Sequence, residues 1–394
     1  MNKYLTLIAA AALMTACSNE ADQTEEQAQG QPIAVTVDEG GFTRAVGEVN
    51  TATKLADTGF GIFASYTGKL KYENTTVSPD YMYNQKVIGQ SASGGGYNWV
   101  YNPVKYWPNS TSKETGESNE YVSFFAYAPY EANPREGSET GIIDMSQKYE
   151  LGDPWLNFRL PDKPWGDGAN QVDLMYGVKT GGLMDTGWDD ELFIDQVKPS
   201  DVKSSMRFVF RHALACIGDQ ITVQLTSDMA TYISGYATVY LDKLTIEYKN
   251  LTTKARLVLN SPSGPNWKEI ISGELTTTRT YTKQPDTRLE LTDTPQELSA
   301  HEGLFYIPLQ VRGTDAPVAE VTIDYTVRNN AGTEYKGQAT TTIPLSLKFE
   351  GQKQAIALQI TKDLNLLHLV MPISDDNATQ PSFSRKPADC ATAH

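Results

Sequence analysis

Apolar and polar residues alternate with a period of two through most of the chain. In Ile33-Ala34-Val35-Thr36-Val37 the alternation puts Ile33, Val35 and Val37 on one face. The same rhythm returns in Tyr121–Tyr127, Ile221–Leu225, Leu244–Tyr248, Val321–Val327 and Ala355–Ile360. Period two is the mark of a strand with one face buried. Each run is short and bounded by Gly, Pro, Asn or Asp clusters, which supply the turns. No segment carries a long, capped 3.6-residue pattern, so helices should be few and short. Many short strands separated by turn signals predict an all-β fold built from β-sandwiches. The pattern breaks at Lys198-Pro199-Ser200-Asp201. A boundary there divides a domain over 45–200 from a second over 201–373, and no solenoid repeat is present.

The two ends of the chain depart from this rhythm. Lys3 and the apolar run Leu5–Leu13 have the layout of a secretory signal over residues 1–16. The run is too short to anchor stably in a hydrocarbon core about 30 Å thick. Leu13-Met14-Thr15-Ala16-Cys17 resembles a lipobox, with Met14 where Leu is commoner. Cys17 is therefore the expected lipid-bearing N-terminus; an ordinary secretory signal with a chance cysteine is the alternative. Residues 17–44 open as an acidic tether with Glu20, Asp22, Glu25 and Glu26, too polar to bury surface. At the other end, Leu364–Ile373 is apolar on both faces. Leu367, Leu369, Met371 and Ile373 share one side, and Leu364, Leu366 and Val370 the other. The remaining tail, 374–394, is polar.

Charge and chemistry narrow the functional classes. A formal net charge of −15 argues against a nucleic-acid partner and for a self-repelling exterior. Besides Cys17 only Cys216 and Cys390 occur, which gives neither a disulfide framework nor a zinc spacing. Phe208, Phe210, His212, Leu214 and Cys216 alternate onto one face, so Cys216 reads as a buried thiol and His212 as a core histidine. Asp185, Asp189, Asp190 and Glu191 lack the ligand spacing of a calcium loop and read as a solvated acidic loop. No phosphate loop, His-Glu-x-x-His pattern or nucleophile elbow is present. The expectation is a chain that is not an enzyme and uses no cofactor and no metal. Aromatics gather over 81–107 around Gly94-Gly95-Gly96, either as core or as an exposed surface for glycan or host protein.

Several signatures in order resemble the fimbrillin family, the lipoprotein-derived pilins of type V fimbriae. They are Gly59-Phe60-Gly61-Ile62-Phe63-Ala64, Tyr106-Trp107-Pro108, and Val122–Tyr130. Asp173-Leu174-Met175-Tyr176-Gly177, Phe210-Arg211-His212-Ala213-Leu214-Ala215 and Phe349-Glu350-Gly351-Gln352 follow. The resemblance implies two transthyretin-like β-sandwiches in tandem, joined between subunits by donor-strand exchange. It also implies other fimbrillin subunits as partners, a lipid anchor in the precursor, and passage from the outer membrane to a surface fimbrium.

Such assembly needs a groove, a removable plug and a spare strand. Ile33, Val35 and Val37 are the candidate plug, with Pro32 before them and Gly40-Gly41 after. Arg44 is the first basic residue after Cys17. A trypsin-like maturation protease would therefore cut between Arg44 and Ala45, removing lipid, tether and plug together. Leu367, Leu369, Met371 and Ile373 are the candidate donor face. Four or five such side chains contribute on the order of 8–12 kcal/mol before ordering costs. The alternatives are a permanent first strand, a last strand of the chain's own core, and a permanently anchored surface lipoprotein or tip adhesin.

Overall fold

The computed structural model describes residues 30–38, 52–108, 120–132, 134, 140–166, 171–184, 187–270, 275–300, 302–345 and 353–369. Cys17, Arg44, Ala45, Met371, Ile373, Cys390, Asp185, His301, His394, the Phe349–Gln352 hairpin and the tail 374–394 lie outside those residues.

The first half runs β1 (Val35–Val37), α1 (Ala52–Thr58), β2 (Phe60–Gly68), β3 (Met82–Ser91), β4 (Tyr97–Val100) and β5 (Tyr121–Ala128). A hairpin of β6 (Gly141–Met145) and β7 (Trp155–Arg159) follows. Then come β8 (Met175–Met184), β9 (Gly187–Glu191), β10 (Phe193–Gln196) and β11 (Met206–His212). The second half opens with β12 (Ala215–Leu225), α2 (Ser227–Ile233), β13 (Ala237–Thr252), β14 (Lys254–Val258) and β15 (Asn266–Glu269). It continues through β16 (Thr276–Lys283), β17 (Leu289–Leu291), β18 (Gln296–Ala300) and β19 (Leu304–Tyr306). The last elements are β20 (Val318–Asn329), β21 (Glu334–Pro344), β22 (Lys353–Ile360) and β23 (Leu366–Leu369). Among the described residues the chain is all-β apart from two helices of seven residues each, as the alternation predicts.

The first sheet has the order β1-β11-β8-β5-β2-β3-β4, with β10 on β5 and β9 on β8. Its central strand β5 is buried on both sides. Val122, Phe124, Ala126 and Ala128 enter one core, while Phe125 and Tyr127 enter a second. A strand covered on both faces is largely apolar, which explains a run whose one buried polar side chain is Ser123. Two glycines make room for side chains on neighbouring strands of this sheet. A Cβ at Gly61 would lie 2.2 Å from the Tyr127 ring, and one at Gly177 would lie 2.8 Å from the Ala126 methyl. The second half is a sandwich of β18-β12-β22-β23 against β16-β13-β20-β21. Val239, Leu241, Leu244, Ile246 and Tyr248 on β13 face Ile217, Ile221, Val223 and Ile356 in one continuous core.

Two arrangements cross the expected 200/201 boundary. β11, which follows it, completes the first sheet, and β14–β15 extends the β6–β7 hairpin into the four-stranded sheet β15-β14-β7-β6. Sheet partners are chosen by register, not by nearness along the chain. One sequence expectation is corrected here. Phe208, Phe210, Leu214 and Cys216 do not share a face: the chain bends at Ala213–Leu214 between β11 and β12. Phe208 and Phe210 therefore pack in the first core, and Leu214 and Cys216 in the second. The bend resets the alternation. Cys216 itself is a buried thiol, 1% exposed.

Candidate functional site

The site begins with a short segment that carries too few residues to form a sheet of its own. Residues 31–38 lie extended between two rims. On one side, Trp107 N–H donates to Gln31 C=O at 2.9 Å and Ile33 N–H donates to Lys105 C=O at 2.9 Å. On the other, Met206 N–H donates to Ala34 C=O at 2.9 Å and Asp38 N–H donates to Phe208 C=O at 2.8 Å. β1 runs parallel to β11, pairing Val35 with Met206 and Val37 with Phe208, while Pro32 meets Tyr106 antiparallel. The segment is thus a strand laid in a groove, bonded first to one wall and then to the other.

Side chains fill what the backbone bonds align. Ile33, Val35 and Val37 are 1%, 3% and 6% exposed, in the same core as Phe60, Trp99, Trp107, Met206 and Phe208. Burying three such side chains contributes roughly 5–8 kcal/mol before the strand's ordering cost. Polar contacts dress the outer side. Thr36 Oγ1 lies 3.1 Å from Ser205 Oγ, Arg207 pairs with Asp38 at 3.2 Å, and Tyr101 O–H donates to Ile33 C=O at 2.7 Å. Burial pushes the Tyr101 phenol up to about 12, against a backbone bond to Lys105 that lowers it. Tyr101 therefore stays a neutral donor at physiological pH. If the segment left, the Trp107 and Met206 amides and the Lys105 and Phe208 carbonyls would lose their partners beside an aromatic cleft.

The structure places the three predicted plug residues together on the buried face. It brings in Tyr101, Lys105, Trp107, Met206 and Phe208, which alternation alone did not single out as groove walls. The aromatic run over 81–107 resolves into core: Trp99 and Trp107 are buried, and Tyr81, Tyr97 and Tyr101 pack against them. Two signatures of the sequence meet across β8 and β11, where Phe210 pairs with Gly177 and His212 with Met175. His212 Nδ1 stands 2.8 Å from Asp173 Oδ2 with both side chains buried, as befits a core histidine. Arg211 donates two bonds to Asp190, at 2.8 and 2.9 Å, so this carboxylate serves an ion pair. Among the described residues no group of three His, Cys, Asp or Glu is placed to hold a metal.

At the other end, β23 pairs antiparallel with β22, Leu366 opposite Ile360 and Leu369 opposite Ala357. The strand starts at Leu366, later than the sequence reading, because Leu364 sits in the hairpin turn with φ of 61°. Leu366 is buried, whereas Leu367 and Leu369 are 46% and 38% exposed. One leucine-bearing face of this edge strand therefore looks outward.

No protein-family model matches the chain. Over 218 residues it is 28% identical to the fimbrium subunit Fim1C of Phocaeicola vulgatus, covering 53% of this chain. The match spans 50% of that relative's own length. The crystal structure of a fimbrial protein from Bacteroides vulgatus superposes with a TM-score of 0.61 at 21% identity, covering 87% of this chain and 99% of that one. That likeness shows a shared fold. With the sequence match over half its length, the chain is similar to fimbrial proteins.

Proposed function

We propose that the chain is a structural subunit of a bacterial surface fimbria that is held unassembled by its own first strand. The single observation that carries the reading is the strand over residues 31–38, bonded to both rims with Ile33, Val35 and Val37 buried. In this reading Cys17 bears the lipid that brings the precursor to the outer membrane. A trypsin-like protease cuts between Arg44 and Ala45, the strand leaves, and the groove takes a strand from another subunit. The incoming strand carries Leu367, Leu369, Met371 and Ile373, whose side chains suit the pockets left by Ile33, Val35 and Val37. The outward leucines of β23 and the fimbrial relatives support this assignment.

N-terminal sequencing of material sheared from the cell surface tests it. Polymer subunits should begin at Ala45, whereas a lipidated Cys17 in the polymer overturns the release step and points to a permanently anchored protein. Truncation after Lys362 should leave a folded subunit that cannot extend a polymer. Unchanged polymerisation of that truncation rules out the donor role of 367–373.

A further inference from the structure

The sheet β15-β14-β7-β6 has two faces of opposite character. Leu156, Phe158, Ala255, Leu257 and Trp267 point into the core. The other face carries Arg159, Lys254, Arg256 and Lys268, and the register sets like charges opposite each other. Arg159 pairs with Lys254 across β7 and β14, and Arg256 pairs with Lys268 across β14 and β15. Neighbouring strands are about 4.8 Å apart, and like charges directly opposite weaken a sheet. Two such pairs on adjacent rows, in a chain of net charge −15, demand an explanation beyond solubility.

Internal neutralisation is incomplete. Asp162 lies 3.7 Å from Arg159 but is shared with Arg279 at 3.1 Å. Asp144 sits in the same row behind Asn157, whose amide donates to it at 3.4 Å, while Arg256 donates to Asn157 Oδ1 at 3.0 Å. Among the described residues Lys254, Arg256 and Lys268 have no carboxylate within ion-pair distance. Among the described residues the face also lacks the exposed apolar centre that a protein partner needs. Its one aromatic, Trp155, is capped by the Arg256 guanidinium 3.6 Å from the ring centroid. What remains is a double row of cations edged by Asp144, by Asp162 and by Glu150, which accepts from the Trp155 indole N–H at 3.0 Å, and the row suits a flexible chain of anions.

We propose that this face binds an acidic polysaccharide, a glycan chain bearing sulfates or uronates, through Arg159, Lys254, Arg256 and Lys268. The site works in the single subunit and does not rest on polymer formation; repetition along a fimbria would add avidity.

The test is fluorescence anisotropy of a labelled heparin dodecasaccharide with the full chain at low salt. The expected result is saturable binding that weakens steeply as salt rises, unusual for a protein with pI near 4.8. K254E/K268E should weaken it at least tenfold. K336E/K362E, the same charge change elsewhere, should leave it within twofold. K268E also places a carboxylate opposite Arg256, so the variant should melt no lower than the parent, which separates lost binding from lost fold. The proposal is overturned by absence of binding at low salt, or by equal loss in both double variants. Tighter binding of a DNA duplex of equal charge would overturn it too, as would a Lys254-dependent dimer that excludes heparin.

Discussion

Ile33→Ala isolates the energetics of the groove. Ile33 is 1% exposed and its N–H bonds to Lys105, so truncation removes buried methyls without removing a backbone bond. Large-to-small changes of this kind cost 2–5 kcal/mol, and a central figure is about 3 kcal/mol. If the strand docks as a unit on a preformed groove, the cost falls on docking alone. Local opening should then rise by roughly 150-fold, at 1.4 kcal/mol per factor of ten. Hydrogen exchange read by mass spectrometry should show faster exchange in peptides holding Trp107 and Met206, whose amides bond to Gln31 and Ala34. Peptides from β20 and β21 should keep their protection. A uniform loss of protection in both halves would refute the reasoning, because the strand would then belong to one cooperative core. So would unchanged exchange at Trp107 and Met206.

Three further outcomes follow from particular contacts. Gly61→Ala drives a methyl to within 2.2 Å of the Tyr127 ring and should lower stability by about 1–3 kcal/mol, measured by chemical denaturation. Asp190→Asn leaves the partly buried Arg211 without its carboxylate and should cost about 2–3 kcal/mol, seen as a lower thermal midpoint that added salt does not restore. Burial lowers the pKa of His368 below its usual 6.5, against a backbone contact to Ala355 that raises it. Neutral His368 therefore supports β23 fully above pH 6.5, and that support is lost as pH falls through the lower folded value. Exchange in β22 and β23 should accelerate on acidification, and His368→Gln should flatten that response.

Much of the fold was legible because alternation reports burial directly. The faces of β5, β13 and β20 and the one-sided apolar strand at 33–37 follow from it. What was not legible depends on long-range register. Nothing local in Tyr106-Trp107-Pro108 says that its backbone pairs with residues 31–33. Nothing local says that Arg159 stands opposite Lys254, far along the chain. The bend at Ala213–Leu214 was hidden for another reason: apolar residues continue across it, so periodicity registers no break while the chain passes between cores. Leu364 failed similarly, because a leucine in a turn looks like one in a strand until its φ is known.

That bend has a mechanical consequence. β11 ends at His212 and β12 begins at Ala215, so only two residues separate a strand of the first sheet from one of the second. β6–β7 and β14–β15 tie the halves again through side-by-side pairing. Tension applied along the chain would pass from β11 straight into β12, with no slack linker to take up extension. Sliding the halves apart would require breaking a whole row of hydrogen bonds together rather than one after another. In the assembly proposed above, such a unit would resist bending between its two halves.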